Sequence, residues 1–309
     1  MNISLVIPLK DEELNLNRLI TSVVGQTQRP DEVIFVDAGS ADGTRDIIKK
    51  RRDYGGKFKL IPIGPAYPGT ARNAGVKEAR YDTIAFTDGG IELDRGWLKE
   101  LSLVMENDPS VDVVYGSYLP RTDTLFKECL AIAIVPPARK RSSFIASSLL
   151  KKTVWQDVGG FPDFRAAEDR IFMNRIKERG FKIRYNPRAV VIWDIPSDIV
   201  KVFNRFYSYS FHDLRAGVAK DWHIPVVKMY LAASILLILG IVLSPLFYIL
   251  LAVGLLARIA KKVFINRKEP YFKNIMAPCY LFLGSILMLV IDLAMFSGSV
   301  KYAVEGLKK

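Results

Sequence analysis

From Met229 to Ala257 the chain runs for 29 residues without a charged side chain. A core helix rarely stays charge-free for so long, whereas a membrane span needs about 20 apolar residues. A second run, Ile275 to Ile291, covers 17 residues and continues apolar past Asp292 to Val300. As a single helix the first run would be about 43 Å long at 1.5 Å per residue, too long for a hydrocarbon layer of about 30 Å without steep tilt. Ser244-Pro245 sits in its middle. Read as a turn, this pair gives two helices, Ile224–Leu243 and Leu246–Ile265, with Lys228 and Arg258 reaching toward the headgroups. Read as a kink, it leaves one tilted helix. With a third helix over 275–297, residues 222–309 form an α-helical transmembrane region. The loop Arg258–Lys273 holds six basic residues against Glu269, which predicts a multi-pass cell-membrane protein with this loop and the N-terminal domain in the cytoplasm.

The charge balance agrees with this division. Of the net +12, a share of +7 falls after Pro225, where ten Lys or Arg face three acidic residues. The first 225 residues carry 34 basic and 29 acidic groups, the balance of an ordinary soluble domain. Because the excess positive charge lies beside apolar runs, nucleic acid is not an expected partner. Cys129 and Cys279, 150 residues apart, exclude a disulfide scaffold or a zinc ribbon, and His212 and His223 cannot form H-E-x-x-H. No leader is read at Met1-Asn2-Ile3-Ser4.

Residues 1–221 read as strands alternating with helices. Short apolar strands are predicted at Ile3–Ile7, Val33–Val36, Lys59–Ile63 and Thr83–Phe86, with helical periodicity through Leu14–Val23, Ile47-Ile48 and Thr70–Ala79. That alternation predicts an α/β fold with a mostly parallel sheet flanked by helices. Ligands of such sheets bind beyond the carboxyl ends of the strands. The four ends carry Pro8–Glu13, Asp37–Thr44, Gly64–Gly75 and Asp88–Glu92, so acidic residues and glycines gather on one edge. Turn chemistry and helix caps explain any one of these segments, but four in register point to a site.

No G-x-G-x-x-G follows the first strand, and Gly64–Thr70 has P-loop spacing without its lysine, so dinucleotide and P-loop ATPase fingerprints are absent. Gly69 opening a helix with Arg72 in its first turn suits a diphosphate; Arg72 as a plain surface charge is the alternative. Further on, Glu168-Asp169 opens a helix that stops at Gly180. Acidic residues there either complement the helix dipole or supply a general base.

In this order the segments resemble the inverting glycosyltransferases of family 2, which have the GT-A fold. Val6-Ile7-Pro8-Leu9-Lys10-Asp11-Glu12-Glu13 is similar to V-I-P-x-x-N-E-E, Val36–Thr44 to V-D-D-G-S-x-D-G-T, and Ala71–Gly75 to A-R-N-x-G. Phe86–Gly90 stands at the D-x-D signature, and Val158–Phe161 and Glu168-Asp169 at the G-G-F and E-D motifs. The resemblance spans about Ser4 to Pro187. It implies a donor-nucleotide pocket of Pro8, Glu12, Asp37, Arg72 and Asp88, and Asp169 as catalytic base beside Glu168. Ala38 replaces one acid of the D-D pair, and Gly90 replaces the last acid of D-x-D, often the main metal ligand. Asp88 with Glu92 would then hold Mg²⁺ or Mn²⁺ together with the diphosphate. The implied partners are a nucleotide sugar and a lipid-linked or glycolipid acceptor at the membrane.

Two other readings stay open. A polyprenyl-phosphate sugar synthase has an acceptor that is already an anion and needs no base. A non-enzymatic transporter or sensor subunit would need an ion path, for which the apolar runs offer one acidic residue, Asp292. The segment Ile199–Ala216, rich in Phe, Tyr, Lys and Arg, is read as an interfacial helix against headgroups or as a helix packed on the sheet.

Overall fold

The computed structural model describes residues 1–51, 56–218, 220–272 and 278–307. The chain forms two compact units, one of Met1–Leu119 with Ala138–Asp194, the other of Pro120–Pro137 with Ile195–Lys309.

The first unit begins with β1 (Ile3–Leu9), α1 (Glu13–Val24), β2 (Glu32–Asp37), α2 (Thr44–Lys50), β3 (Phe58–Pro62), α3 (Pro68–Glu78) and β4 (Thr83–Phe86). β1 pairs in parallel with β2 and β4, and β2 with β3, as short continuous strands joined by helices require. It continues with β5 (Ile91–Leu93), α4 (Trp97–Asn107) and β6 (Val113–Pro120). After α5 (Leu125–Ile134), which belongs to the second unit, come β7 (Ser148–Lys151), α6 (Lys152–Asp157), α7 (Glu168–Glu178) and β8 (Ile183–Trp193). The sheet order is β3-β2-β1-β4-β7-β6-β8-β5. Pairs β4–β7, β6–β7 and β5–β8 are antiparallel, so the sheet is mixed, parallel through its first four strands. Both faces are covered. Leu5, Ile7, Phe35, Leu16 and Trp97 bury one side, and Val6, Val36, Phe86, Phe161 and Phe172 the other. Gly75 lets α3 lie close on β1, since a Cβ there would come 2.4 Å from Val6 Cγ1. That closeness sets the height of Arg72, one turn earlier, above the strand ends.

The second unit is helical: α5, then α8 (Ile199–Arg215), α9 (Lys220–Val242), α10 (Leu246–Asn266) and α11 (Pro278–Leu307). The long uncharged run is broken at Leu243–Pro245, and the Tyr248 ring lies on Gly240 across the break. Two helical stretches, His223–Val242 and Tyr280–Leu307, are long and apolar enough to cross a membrane. The expected third span began at Ile275; residues 275–277 lie outside the described residues, and α11 extends to Leu307 rather than stopping near 297. The aromatic segment forms α8 and takes α11 as its partner within the unit. Gly298 permits the approach, and Ser210 Oγ donates to the Met295 carbonyl at 2.6 Å. The boundary expected near 221 therefore falls inside this unit, because α8 packs with the helices that follow it.

α5 is buried within the same unit along most of its length. Tyr280 donates to Glu128 at 2.5 Å, and Asn266 donates to the Ile132 carbonyl at 3.2 Å. Asp292, 2% exposed, is held from two other helices. Tyr230 of α9 donates to it at 2.8 Å, and Arg258 of α10 forms a forked pair with it, one arm at 3.0 Å. Removing one partner of a buried pair costs about 3–5 kcal/mol, whereas replacing both by apolar groups is often near neutral. Asp292→Ala should therefore lower the melting temperature of the detergent-solubilised protein, and Asp292→Leu combined with Arg258→Met should recover most of the loss. An Asp292→Ala protein that melts with the wild type would show that the pair does not hold the helices.

Candidate functional site

The site forms where β1, β2 and β4 end. Pro8 is buried one residue before the end of β1, opposite Val36. The next turn places Asp11 at φ 54°, and its backbone N–H donates to Ser40 Oγ at 3.0 Å while its carboxylate accepts from Ala41 N at 2.8 Å. Glu12 N donates to Thr44 Oγ1 at 2.8 Å. The loops after β1 and β2 are thus tied to each other before any ligand arrives.

Asp37, fully buried at the end of β2, accepts from the Gly39 and Ser40 amides at 3.3 Å and from Arg45 Nε at 2.6 Å. Its carboxylate braces its own loop. Arg45 carried no signal in the sequence beyond its place in a helical pattern. Gly39 has φ 83°, and a Cβ there would meet the Pro65 backbone nitrogen at 2.9 Å, so the loop before α3 closes down on this turn.

Arg72, at the start of the second turn of α3 and only 3% exposed, is the centre of the cluster. Its Nη2 donates to Asp88 Oδ1 at 2.6 Å and its Nη1 to Glu168 Oε1 at 2.9 Å. Its Nε is buried with no hydrogen-bond partner among the described residues. Burial disfavours the guanidinium charge, but Asp88, Glu168 and Asp169 more than offset that and raise its pKa. Burial pushes the Glu168 carboxyl up to about 7, with Arg72 opposing and the Asp169 charge reinforcing the rise. Glu12 is also raised, first by burial; its Asn15 hydrogen bond opposes this, and the charge of Asp88 adds to it. Asp169 is half-buried in the first turn of α7, after Ala167 at φ 70°, and its Oδ1 accepts from Arg170 N at 2.7 Å.

The structure thus joins Arg72, Asp88, Glu168 and Asp169, with Glu12 beside Asp88. Glu92 is turned to Arg18 at 3.8 Å and lines a cleft with Asn17, Thr21 and Asp94. Among the described residues, no three His, Cys, Asp or Glu side chains converge as a metal site. The donor set fits a divalent ion in one way. Asp88 is partly exposed with one carboxylate oxygen committed to Arg72, and the cluster carries more carboxylates than cations. An ion of this kind takes its remaining ligands from diphosphate oxygens and water.

Asn73 is a positioning residue that the motif reading passed over. Its Oδ1 accepts from Trp155 Nε1 at 2.8 Å and Phe161 N at 2.9 Å, and its Nδ2 donates to the Phe161 carbonyl at 2.8 Å. It pins Gly159-Gly160-Phe161 to α3. Both glycines have positive φ, 76° and 69°, so this turn demands them. Gly69 completes the joint, since a Cβ would come 2.7 Å from the Pro162 carbonyl oxygen. Its place next to Arg72 in A-R-N was the available signal.

The chain is 30% identical over 213 residues to a pre-mycofactocin glycosyltransferase of Mycobacterium tuberculosis, an alignment covering 62% of this chain and 43% of that protein. It is 26% identical over 221 residues to the O-antigen chain rhamnosyltransferase WbaN of Salmonella anatum, covering 64% and 67%. Among solved structures, the mannosyltransferase PcManGT of Pyrobaculum calidifontis, in complex with GDP-Man and Mn²⁺, superposes with a TM-score of 0.63 at 18% identity, covering 93% of this chain and 87% of that one. The fold of the catalytic unit is of this GT-A kind. The sequence profile described as glycosyl transferase family 2 matches residues 4–160, just over half of the chain, and the chain belongs to that family.

Proposed function

We propose that the protein is an inverting glycosyltransferase that moves a sugar from a nucleoside-diphosphate donor to a hydroxyl of a membrane-bound, lipid-linked or glycolipid acceptor. The observation that supports it most is the buried Arg72 joining Asp88, on the donor side, to Glu168 beside Asp169. In this reading the nucleotide lies along the loops after β1 and β2, against Pro8, Glu12 and Asp37. The diphosphate meets the N-terminus of α3 and Arg72, whose Nε has a donor to spare. Asp169 takes the proton of the acceptor hydroxyl as its oxygen bonds to the anomeric carbon. In the same displacement the bond from that carbon to the phosphate oxygen breaks, and the configuration inverts. The leaving diphosphate carries the electron pair, with Arg72 and the helix N-terminus holding its charge. Mg²⁺ or Mn²⁺ bound at Asp88 would supply further neutralisation of that charge. Glu168 fixes Arg72 in either protonation state, since both accept a hydrogen bond.

The apolar helices support membrane attachment, and we assign a multi-pass topology with the catalytic unit and the loop 258–273 in the cytoplasm. The pairing of Asp292 with Arg258 disfavours the transporter alternative, because the one acidic residue of the apolar runs is engaged in holding helices together.

Four outcomes are expected. Membranes containing the protein and a labelled donor, drawn from GDP-mannose, UDP-N-acetylglucosamine and related nucleotide sugars, should yield label in an organic-extractable product. Asp169→Asn should lower that transfer at least about 100-fold while nucleoside diphosphate still binds. Full transfer by Asp169→Asn would favour a phosphate acceptor, and water-soluble product alone would remove the lipid acceptor. Excess chelator should abolish transfer, with Mn²⁺ or Mg²⁺ restoring it to the wild type but not to Asp88→Ala. Unchanged activity in chelator would leave Arg72 and the helix N-terminus as the whole diphosphate clamp. Finally, a cysteine introduced at the exposed Arg267 should resist an impermeant thiol reagent applied to intact cells and react after lysis. Ready labelling from outside would reverse the assigned topology.

A further inference from the structure

We propose that Tyr115 is a positioning residue for Asp169, its hydroxyl donating a hydrogen bond to the Asp169 carboxylate when an acceptor is bound. The proposal rests on the reading of Asp169 as base. Tyr115 stands on β6, fully buried, and its hydroxyl has no partner among the described residues. Such an orphan is costly, because it has given up hydrogen bonds to water and received none in return. Nothing in the sequence marks it, since it sits inside the apolar strand Val113-Val114-Tyr115.

Its place is fixed by register. Tyr115 lies opposite Ser148, which in turn lies opposite Phe86, so Tyr115 and Phe86 share one face of the sheet. On that face Phe86 packs edge-on against Phe161 at 5.5 Å, and Phe161 stacks on Phe172 at 3.9 Å. Phe172 is one helical turn beyond Asp169 on α7, and residues three apart lie on the same side of a helix. Tyr115 and Phe172 thus belong to one buried cluster between sheet and α7, and the phenol lies close enough to Asp169 to feel its charge. Burial and the Asp169 charge both raise the phenol's pKa, so it remains a proton donor at any working pH.

The other donors nearby are engaged elsewhere. Arg72, facing from α3, gives its two Nη groups to Asp88 and Glu168, and its Nε is the donor assigned to the diphosphate. Glu168, the neighbour on α7, is an acceptor when ionised. Asp169 commits Oδ1 to Arg170 N, and a carboxylate has capacity for the phenol and the acceptor hydroxyl as well. A bond from Tyr115 would hold the carboxylate plane fixed while the acceptor proton moves onto it.

The test uses full-length Tyr115→Phe in lipid nanodiscs with GDP-mannose or UDP-N-acetylglucosamine, whichever the wild type turns over. Loss of the hydroxyl should lower kcat between about tenfold and 100-fold and leave the donor KM within about twofold. Phenylalanine keeps the ring and removes an unpartnered hydroxyl, so the melting temperature should stay level or rise, which separates the effect from misfolding. Wild-type kcat would overturn the proposal, as would a raised KM with unchanged kcat. Asp169→Asn distinguishes the two levels: if it stays active the base reading fails, and if it is inactive while Tyr115→Phe matches the wild type, only this inference falls.

Discussion

The buried guanidinium of Arg72 is the interaction on which the catalytic unit's geometry depends. A cation that is 3% exposed is costly unless its charge and its donors are matched, and here two carboxylates from distant parts of the chain match them. Asp88 comes from the end of β4, sixteen residues on, and Glu168 from α7, ninety-six residues on. Glu168 is buried with it, while Asp88 stays partly exposed. Phe161 adds a ring whose centre lies 5.5 Å from the guanidinium. The same contact that satisfies Arg72 therefore sets the distance between the ends of the parallel strands and the first turn of α7.

Around that pair, small residues allow the approach and polar side chains hold it. Gly75 brings α3 down onto β1, Gly69 brings its N-terminus against Pro162, and Gly160 leaves room for Asn73. Asn73 then makes two hydrogen bonds with the Phe161 backbone and a third with the Trp155 indole of α6. This is why A-R-N and G-G-F occur together: the arginine needs Glu168, and the asparagine holds the loop that delivers it. The glycines are sites of contact, and their conformational freedom matters chiefly at Gly159 and Gly160, where φ is positive.

Much of this could be read in advance because parallel strands and their helices announce themselves by local pattern. β1 to β4 with α1 to α3 lie where periodicity put them, and the acidic and glycine-rich ends fall on one edge. The antiparallel half was not legible. β7 has four residues and β5 three, and their pairing is decided by contacts with strands far along the chain. α5 was equally hidden: no motif marks Leu125–Ile134, and Glu128 and Lys127 inside it are buried among the helices of the second unit. For the same reason α8 was read as a helix against headgroups or on the sheet, whereas Ser210 and the glycine at 298 commit it to α11. Glu92 was grouped with Asp88 through the family resemblance; on β5, between the buried Ile91 and Leu93, its carboxylate lies 3.8 Å from Arg18 Nε.

The two departures from the family pattern have physical counterparts in the structure. An aspartate at position 90 would begin with a Cβ 3.6 Å from Glu12 Oε1, aiming a carboxylate at one whose pKa burial and Asp88 already raise. Glycine avoids that repulsion, and Glu12 keeps negative charge beside Asp88 from the α1 side. At position 38 the backbone N–H donates to Leu9 O at 2.8 Å and the methyl group is buried with Val36 and Ala71. An acidic side chain placed in that apolar cluster would need a cation, and Arg45, the nearest one engaged with this loop, is already spent on Asp37. Alanine at 38 and Asp37 paired to Arg45 are therefore one arrangement: the loop is braced from within by its own carboxylate and amides.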